Sequence, residues 1–382
     1  MRRARASAAY RIAPVQRRAP RIKATMSWAS RMLRLIRHEI RPGLSLPLAK
    51  RWRGWRHGFG AKSYVIYDLD AHDARQYLSD YAVLFKIDRV NGVFNDIVGN
   101  KLAFARIMAF HGFRCSPIHA LLERGSVHDL GGTPQASSAR EWLTRRLEPG
   151  RRLVLKPADG GQGQGIIFLD RDPIGFIVNG IRAGLDEVEA LLAPLCRYLI
   201  TEFVVQAPYA ASIYPHTTNT VRILTLWDLA VGRPFLAAAV HRFGTARSAP
   251  VDNWHGGWGG LSARIDLDSG ALGPGATLSD AGRLCWHERH PESGAAIAGV
   301  RVERWAETSA AVLAAAARLP EAPAIGWDLV VTDNGCCFLE GNSPPGPFVW
   351  QVHGPLLADP RVRRFYEAHG VVRGHRRAGG RR

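Results

Sequence analysis

Residues Leu153 to Leu169 read LVLKPADGGQGQGIIFL, and this stretch constrains the chain more than any other. The apolar run Leu153 to Leu155 predicts a strand entering Lys156-Pro157, and Ile166 to Leu169 predicts a second strand returning. Between them lie Gly160, Gly161, Gly163 and Gly165. Glycine reaches positive φ without a Cβ clash, so consecutive backbone N–H groups in such a loop can converge on an anion and approach it closely. A polyphosphate suits the loop, with Lys156 at its entrance as a point charge. A flexible hairpin tip accounts for the same glycines without any ligand. The stretch lacks the G-x-x-x-x-G-K-S/T spacing, and no helical pattern follows it. Its spacing is nearer a glycine flap that covers phosphates from above.

At 382 residues the chain is long enough for two or three domains or lobes. No apolar run reaches the roughly 18 residues that a bilayer-spanning helix needs. The basic N-terminus has no apolar core of the secretory-signal kind, and Met26 or Met32 is an alternative start. Its arginine-rich, acid-poor composition also matches an organellar transit peptide. Five cysteines, with no C-x-x-C pair, predict neither a disulfide nor a zinc framework, and a reducing, cytoplasmic setting is expected.

The net charge of +18 invites a nucleic-acid reading, so its distribution matters. Residues 1–60 hold 16 Lys or Arg against the single acid Glu39, and the tail from His369 adds five arginines without an acid. The remaining body is therefore close to neutral, and a basic groove for a duplex is not expected there. Residues 1–25 are mostly Arg, Ala and Pro, and disorder is expected. From Trp28 to Ile40, Met32, Leu33, Leu35, Ile36 and Ile40 interleave with Arg31, Arg34, Arg37 and Arg41. This basic amphipathic pattern fits weak contact with an anionic membrane surface, or a helix packed on its own domain with a solvated basic face.

Between Tyr64 and Phe113 the pattern is mostly helical, and Asn100 can cap a helix opening at Lys101 and ending at Gly112. Ser116 to Leu122 reads as a strand, then a loop through Gly131 to Pro134 and a helix from Ser137 to Leu147. Beyond the flap come a helix from Gly184 to Leu195 and strands at Cys196 to Thr201, Thr220 to Trp227, Pro234 to His241 and Leu261 to Leu267. Glu303 to Leu319 is an alanine-rich helix, and Ile325 to Gly341 is a hairpin. With a loop of Asp333, Asn334 and Gly335, that hairpin pairs Asp328 with Glu340 and turns Asn342 the same way. Like charges directly opposite repel, and a cation removes the penalty; oxygens of Asp328, Glu340 and Asn342 are what Mg²⁺ accepts. A two-residue Asn334-Gly335 turn would instead send the two acids to opposite faces. Arg222 interrupts an otherwise apolar strand and needs an anionic partner, either a structural carboxylate or a phosphate.

Taken together, these residues resemble the ATP-grasp superfamily over roughly residues 95–350. The carriers are Asn100-Lys101, Lys156-Pro157 before the flap, Glu202 to Gln206, Asn219-Thr220-Val221-Arg222, Val251-Asp252-Asn253 with Gly256-Gly257, and Asp328 with Glu340-Gly341-Asn342. The Asn-Thr-Val-Arg strand and the Asp-Asn loop resemble the sugar-transfer-associated branch. The resemblance implies an α+β fold, two lobes clasping ATP between antiparallel sheets. It divides the chain into a basic arm (1–60), a small N-terminal α/β domain (61–135), a small lobe (136–205), a large lobe (206–365) and a basic tail (366–382). It implies that Lys101, Lys156 and Gly160 to Gly165 contact ATP phosphates, and that Glu202, Phe203, Val204 and Val205 form the adenine hinge. Gln206 would reach the ribose, where related proteins often place an acid. Asp328, Glu340 and Asn342 would hold Mg²⁺, Arg222 would face the transferred phosphate, and Asn253 would lie near the reacting groups. The implied activity is ATP-dependent ligation of a small or glycan-linked carboxylate to an amine or other nucleophile, in polysaccharide or glycoconjugate assembly; phosphotransfer to a sugar-type hydroxyl is the alternative.

Two further features are open. His287 and His290 have metal-compatible spacing without other ligands. Trp254 and Trp258 suit either a stacked sugar or loop packing.

Overall fold

Period-two burial along short strands organises most of the chain. In Arg152–Pro157, Leu153 and Leu155 are buried on one side, while Val154 and Lys156 point to the other. The computed structural model describes residues 29–33, 35–36, 39, 46–131, 136–159 and 163–373, and within them two antiparallel sheets carry the architecture.

The eight-stranded sheet runs, in spatial order, Ala136–Ser138, Ser126–Asp129, Ile118–Glu123, Tyr198–Glu202, Arg152–Pro157, Ile167–Arg171, Phe176–Val178 and Ile181–Ala183. Helices Ala139–Arg146 and Leu185–Leu192 cover one face, where Trp142, Leu143, Val188 and Leu192 pack on Leu122, Leu153, Leu155 and Ile200. Ser138 and Glu141 cap the first of these helices reciprocally. The other face is left for the site.

The seven-stranded sheet is ordered Leu284–His287, Leu272–Leu278, Leu261–Ile265, Arg233–Phe243, Val221–Asp228, Ala324–Thr332 and Gly335–Asn342. Every residue of Ala324–Thr332 is buried, as a central strand covered on both faces requires. Helices Trp305–Ala317 and Lys101–Phe110 share one core with it, through Val312, Ala315, Phe104, Met108 and Trp327. Helices Ala61–Ile66 and Pro360–Ala368 share the other, through Tyr64, Ile66, Val362 and Phe365 against Leu224, Leu226 and Val240.

Among the described residues, 46–117 contain no strand. That segment is a helical layer sharing its core with the large sheet, and Gln351 ties it down by accepting from Leu78 N (2.7 Å) and donating to Leu78 O (3.1 Å). Strands Ile118–Glu123 and Ser126–Asp129 belong to the small lobe, because Ile118–Glu123 pairs with Tyr198–Glu202.

Residues 29–33 and 35–36 are helical, and Arg31 docks them on the body by pairing with Asp88 and donating to Leu84 O (2.9 Å). The expectations for residues 1–25, Gly132 to Pro134, and Gly160 and Gly161 of the flap lie outside the described residues, as do Trp28, Arg34, Arg37, Ile40 and Arg41 of the expected helix and most of the tail. Among the described residues no helix is long and apolar enough to cross a membrane.

Candidate active site

A cavity of about 970 Å³ lies between the two sheets, and side chains from both line it. Part of its lining is apolar, formed by Val154, Phe168, Phe203 and Val204. Phe168 and Phe203 meet edge to face at 6.0 Å. The Glu202 backbone here is already committed: its N–H donates to Pro117 O (2.9 Å) and its carbonyl accepts from Ser116 Oγ (2.7 Å). Its carboxylate pairs with Arg151 (2.6 Å) and His119 (2.8 Å), which anchors the segment to its neighbours. The Val204 N–H has no hydrogen bond among the described residues. Val205 is largely exposed and does not line the cavity.

Gln206 does not line it either. Its amide nitrogen donates to Thr217 O (2.9 Å) and its oxygen accepts from Asn219 N (2.7 Å), so it closes the turn ahead of Val221–Asp228.

The middle of the cavity is charged. Asn100 caps Lys101–Phe110 by accepting from Leu102 N and Ala103 N, and Lys101 N donates to Ala158 O (3.1 Å) just beyond Lys156. That backbone bond sets the two lysines side by side. Lys101 Nζ lies 3.3 Å from Glu340 Oε2. Burial, with Lys101 adding to it, lowers the Lys156 ammonium below its ordinary value, against the opposing pull of Glu340. Gly163 also lines the cavity; a Cβ there would meet the Val251 side chain at 3.0 Å, so this part of the flap touches the large lobe. Gly165 packs on Tyr198 instead.

Asp328 does stand opposite Glu340, but by neither of the expected routes. The hairpin loop is Asp333-Asn334, with Thr332 opposite Gly335, and a bulge at Leu339 shifts the register back by one residue. Asp328 also faces Arg222 across the neighbouring strand, and the two pair through Nε–Oδ1 and Nη2–Oδ2, both 2.5 Å. Arg222 thus has a structural carboxylate and also lines the cavity. Arg242, overlooked in the sequence, donates to Asp328 Oδ2 (3.1 Å) and to Thr220 Oγ1 (2.6 Å), and lies 3.3 Å from Asp252 Oδ1. Asp252 in turn accepts from Thr220 N (2.7 Å). Two acids and two guanidiniums therefore alternate, and their charges balance. Burial alone would raise the Asp328 carboxyl, but Arg222 and Arg242 outweigh it and hold it below the ordinary carboxylate value.

Asn253 lines the cavity too, and its side-chain oxygen accepts from His255 N (3.1 Å). Lys62, also overlooked, enters here from Ala61–Ile66, with its ammonium 5.4 Å from the Trp258 ring and 5.9 Å from Phe348. Trp254 is packed into the core with its indole N–H on Ala276 O (2.9 Å), whereas Trp258 lines the cavity beneath the Lys62 ammonium. A Cβ on Gly260 would lie 2.3 Å from Phe243 O and 2.9 Å from Asp252 O. Backbone cannot retreat as a side chain can, so Gly260→Ala is expected to destabilise the fold by about 1–3 kcal/mol in a denaturant titration.

The donor chemistry fits a hard cation: Glu340 and Asn342 offer oxygens to the cavity beside Asp328. Among the described residues no group of three or more His, Cys, Asp or Glu converges as a metal site, here or elsewhere, so any cation held here would take two carboxylates and the Asn342 amide. His287 bonds Thr277 Oγ1 (2.9 Å) and His290 bonds Gly244 O (2.8 Å), so each ring has its own structural partner.

No curated protein matches the chain. Similar solved structures include the D-alanine–D-alanine ligase from Bacillus anthracis complexed with ATP (12% identity, 72% of this chain and 68% of that one, TM-score 0.38). Others are the D-alanine–D-alanine ligase from Coxiella burnetii (12%, 72% and 59%, TM-score 0.36) and the L-amino acid ligase from Bacillus licheniformis (11%, 65% and 40%, TM-score 0.35). The chain spans about half the length, or somewhat less, of several structures it matches. The family model described as sugar-transfer associated ATP-grasp matches residues 87–364, well over half the chain. With its two antiparallel sheets and the charged cavity between them, the chain belongs to the sugar-transfer-associated ATP-grasp family.

Proposed function

We propose that this protein is an ATP-dependent ligase that joins a carboxylate to an amine or other nucleophile, in the assembly of a polysaccharide or glycoconjugate. The observation that carries this reading is the convergence of Lys101, Lys156, Glu340, Asp328 and Arg222 on one cavity whose lining also includes an apolar group, Val154, Phe168, Phe203 and Val204. In the reaction, a carboxylate oxygen attacks the terminal phosphorus of ATP, giving an acyl phosphate and ADP; the nucleophile then attacks the acyl carbon and expels inorganic phosphate. Such chemistry asks the protein mainly to align reactants and offset developing charge.

The apolar lining of Val154, Phe168, Phe203 and Val204 has the polarity for adenine, and the Val204 N–H is available to its ring edge. Lys101 and Lys156 would hold the phosphate chain, with Gly163 and the rest of the flap over it and excluding water. Arg222 would face the transferred phosphate while Asp328 keeps its guanidinium in place. Asp328, Glu340 and Asn342 would hold Mg²⁺, which supplies charge neutralisation at the phosphates when bound. Asn253 and Lys62, which also line the cavity, would meet the other substrates. All five cysteines are free, in keeping with the reducing, cytoplasmic setting we propose.

The test is to incubate the purified protein with ATP, Mg²⁺ and a pool of sugar acids and amines, and to scan masses for a condensed product. Free phosphate, together with a hydroxamate when hydroxylamine is added, is the expected result. A stable phosphorylated sugar would replace this reading with the phosphotransferase alternative. ATP left unconsumed across the pool would overturn both.

A further inference from the structure

The helix Leu48–Arg56 is built inside out. An ordinary surface helix turns its apolar stripe to the core, yet the buried residue of LAKRWRGWR is Gly54. Leu48 is 71% exposed, Trp52 60% and Trp55 45%. Their spacings of four and three residues put all three on one face. On the inner side the backbone sits so close to the body that a Cβ at Gly54 would lie 3.1 Å from Phe59 O and 3.1 Å from the Tyr64 ring. The helix is thus pinned through its glycine, with its large apolar side chains directed away from the protein.

Its charged residues are all basic: Lys50, Arg51, Arg53 and Arg56. Arg51 serves the fold by pairing with Glu39 (2.6 Å), and Lys50 and Arg53 share the single carboxylate of Asp70. Cations therefore outnumber acids around the exposed tryptophans. The preceding helical residues add Leu33 and Ile36, also exposed, within the segment that carries most of the chain's positive charge. We propose that this face docks on an anionic membrane surface, with Leu48, Trp52 and Trp55 entering the headgroup region and the basic side chains contacting lipid phosphates. Tryptophan favours that depth because its ring is apolar and its N–H polar, and an apolar stripe together with basic charge supplies the two signals that stable attachment needs. A nucleic-acid track would require the positive charge to continue along the body, which is close to neutral.

The test is flotation of the full chain with phosphatidylcholine vesicles, with and without about one third phosphatidylglycerol. Binding is expected on the anionic vesicles, with a blue shift of tryptophan emission, and weakening as salt screens the charge. The double variant Trp52→Ser/Trp55→Ser is expected to lose roughly tenfold of that binding, with its melting temperature unchanged because neither ring is buried. Absence of flotation, equal binding to neutral vesicles, or equal binding by the double variant would each overturn the proposal. So would a dimer that the double variant dissolves, since the face would then belong to a second copy. Because the readout is lipid binding, its failure leaves the ligase reading standing.

Discussion

Asp328→Asn is expected to lower the unfolding free energy by about 3–5 kcal/mol, the range found when one partner of a buried ion pair is removed. The size follows from what remains. Asp328 accepts from Arg222 through both oxygens and from Arg242 through one. Asn keeps the shape but not the charge, so two guanidiniums stay buried with Asp252 as the remaining carboxylate of the chain of contacts. The pH dependence identifies the cause. The arginines hold the folded-state carboxyl below its ordinary value, so its contribution is complete above about pH 4, the unfolded value. It is lost as pH falls through the depressed folded value. Urea titrations should show a large gap between wild type and variant at pH 7 that narrows below about pH 4. A gap that is small, or constant with pH, would mean that the ion pairs add little to the fold.

Parts of this site were legible in the sequence, and the physical reasons differ from residue to residue. Lys156 follows from strict alternation: once Leu153 and Leu155 are core, Lys156 must face away from it. Asn100 as a cap follows from local chemistry and needs no tertiary information. The Asp328–Glu340 pairing was reached by counting from a three-residue loop, whereas the chain uses a shorter loop and a bulge whose one-residue shifts offset each other. No residue type marks the bulge at Leu339. Leu272–Leu278 was not legible because Gly273, Pro274 and Gly275 argue against a strand; its register to Leu261–Ile265 shifts there, as proline in a sheet requires. Arg242 carried the same signal as Arg222, a guanidinium at the end of the apolar run Leu236 to Val240, and could have been found. Lys62 could not, because its partners Trp258 and Phe348 are remote in sequence and meet it only after the helical layer docks. Gln206 shows the converse limit: its amide serves a local turn through Thr217 and Asn219, a role that its place beside the hinge does not announce.

Lys156→Met separates the site's function from its stability. Lys156 is half-buried beside the buried Lys101, and both lysines face Glu340. Burying an ammonium next to another costs free energy, so a methionine of similar length should leave the melting temperature unchanged or raise it. Turnover should move the other way. A fixed cation aimed at developing phosphate charge in a water-poor cavity is worth about a hundredfold to a thousandfold in rate. The expected result is therefore a fall of about that size in ATP-dependent phosphate release with the fold intact. Lys101→Met is a useful comparison, because Lys101 is the closer partner of Glu340 and its removal leaves that carboxylate to Lys156 and the field of Arg242. If Lys156→Met instead unfolds the protein, the lysine is a structural counter-ion for Glu340. If it leaves both stability and turnover untouched, the phosphate chain does not lie in this cavity.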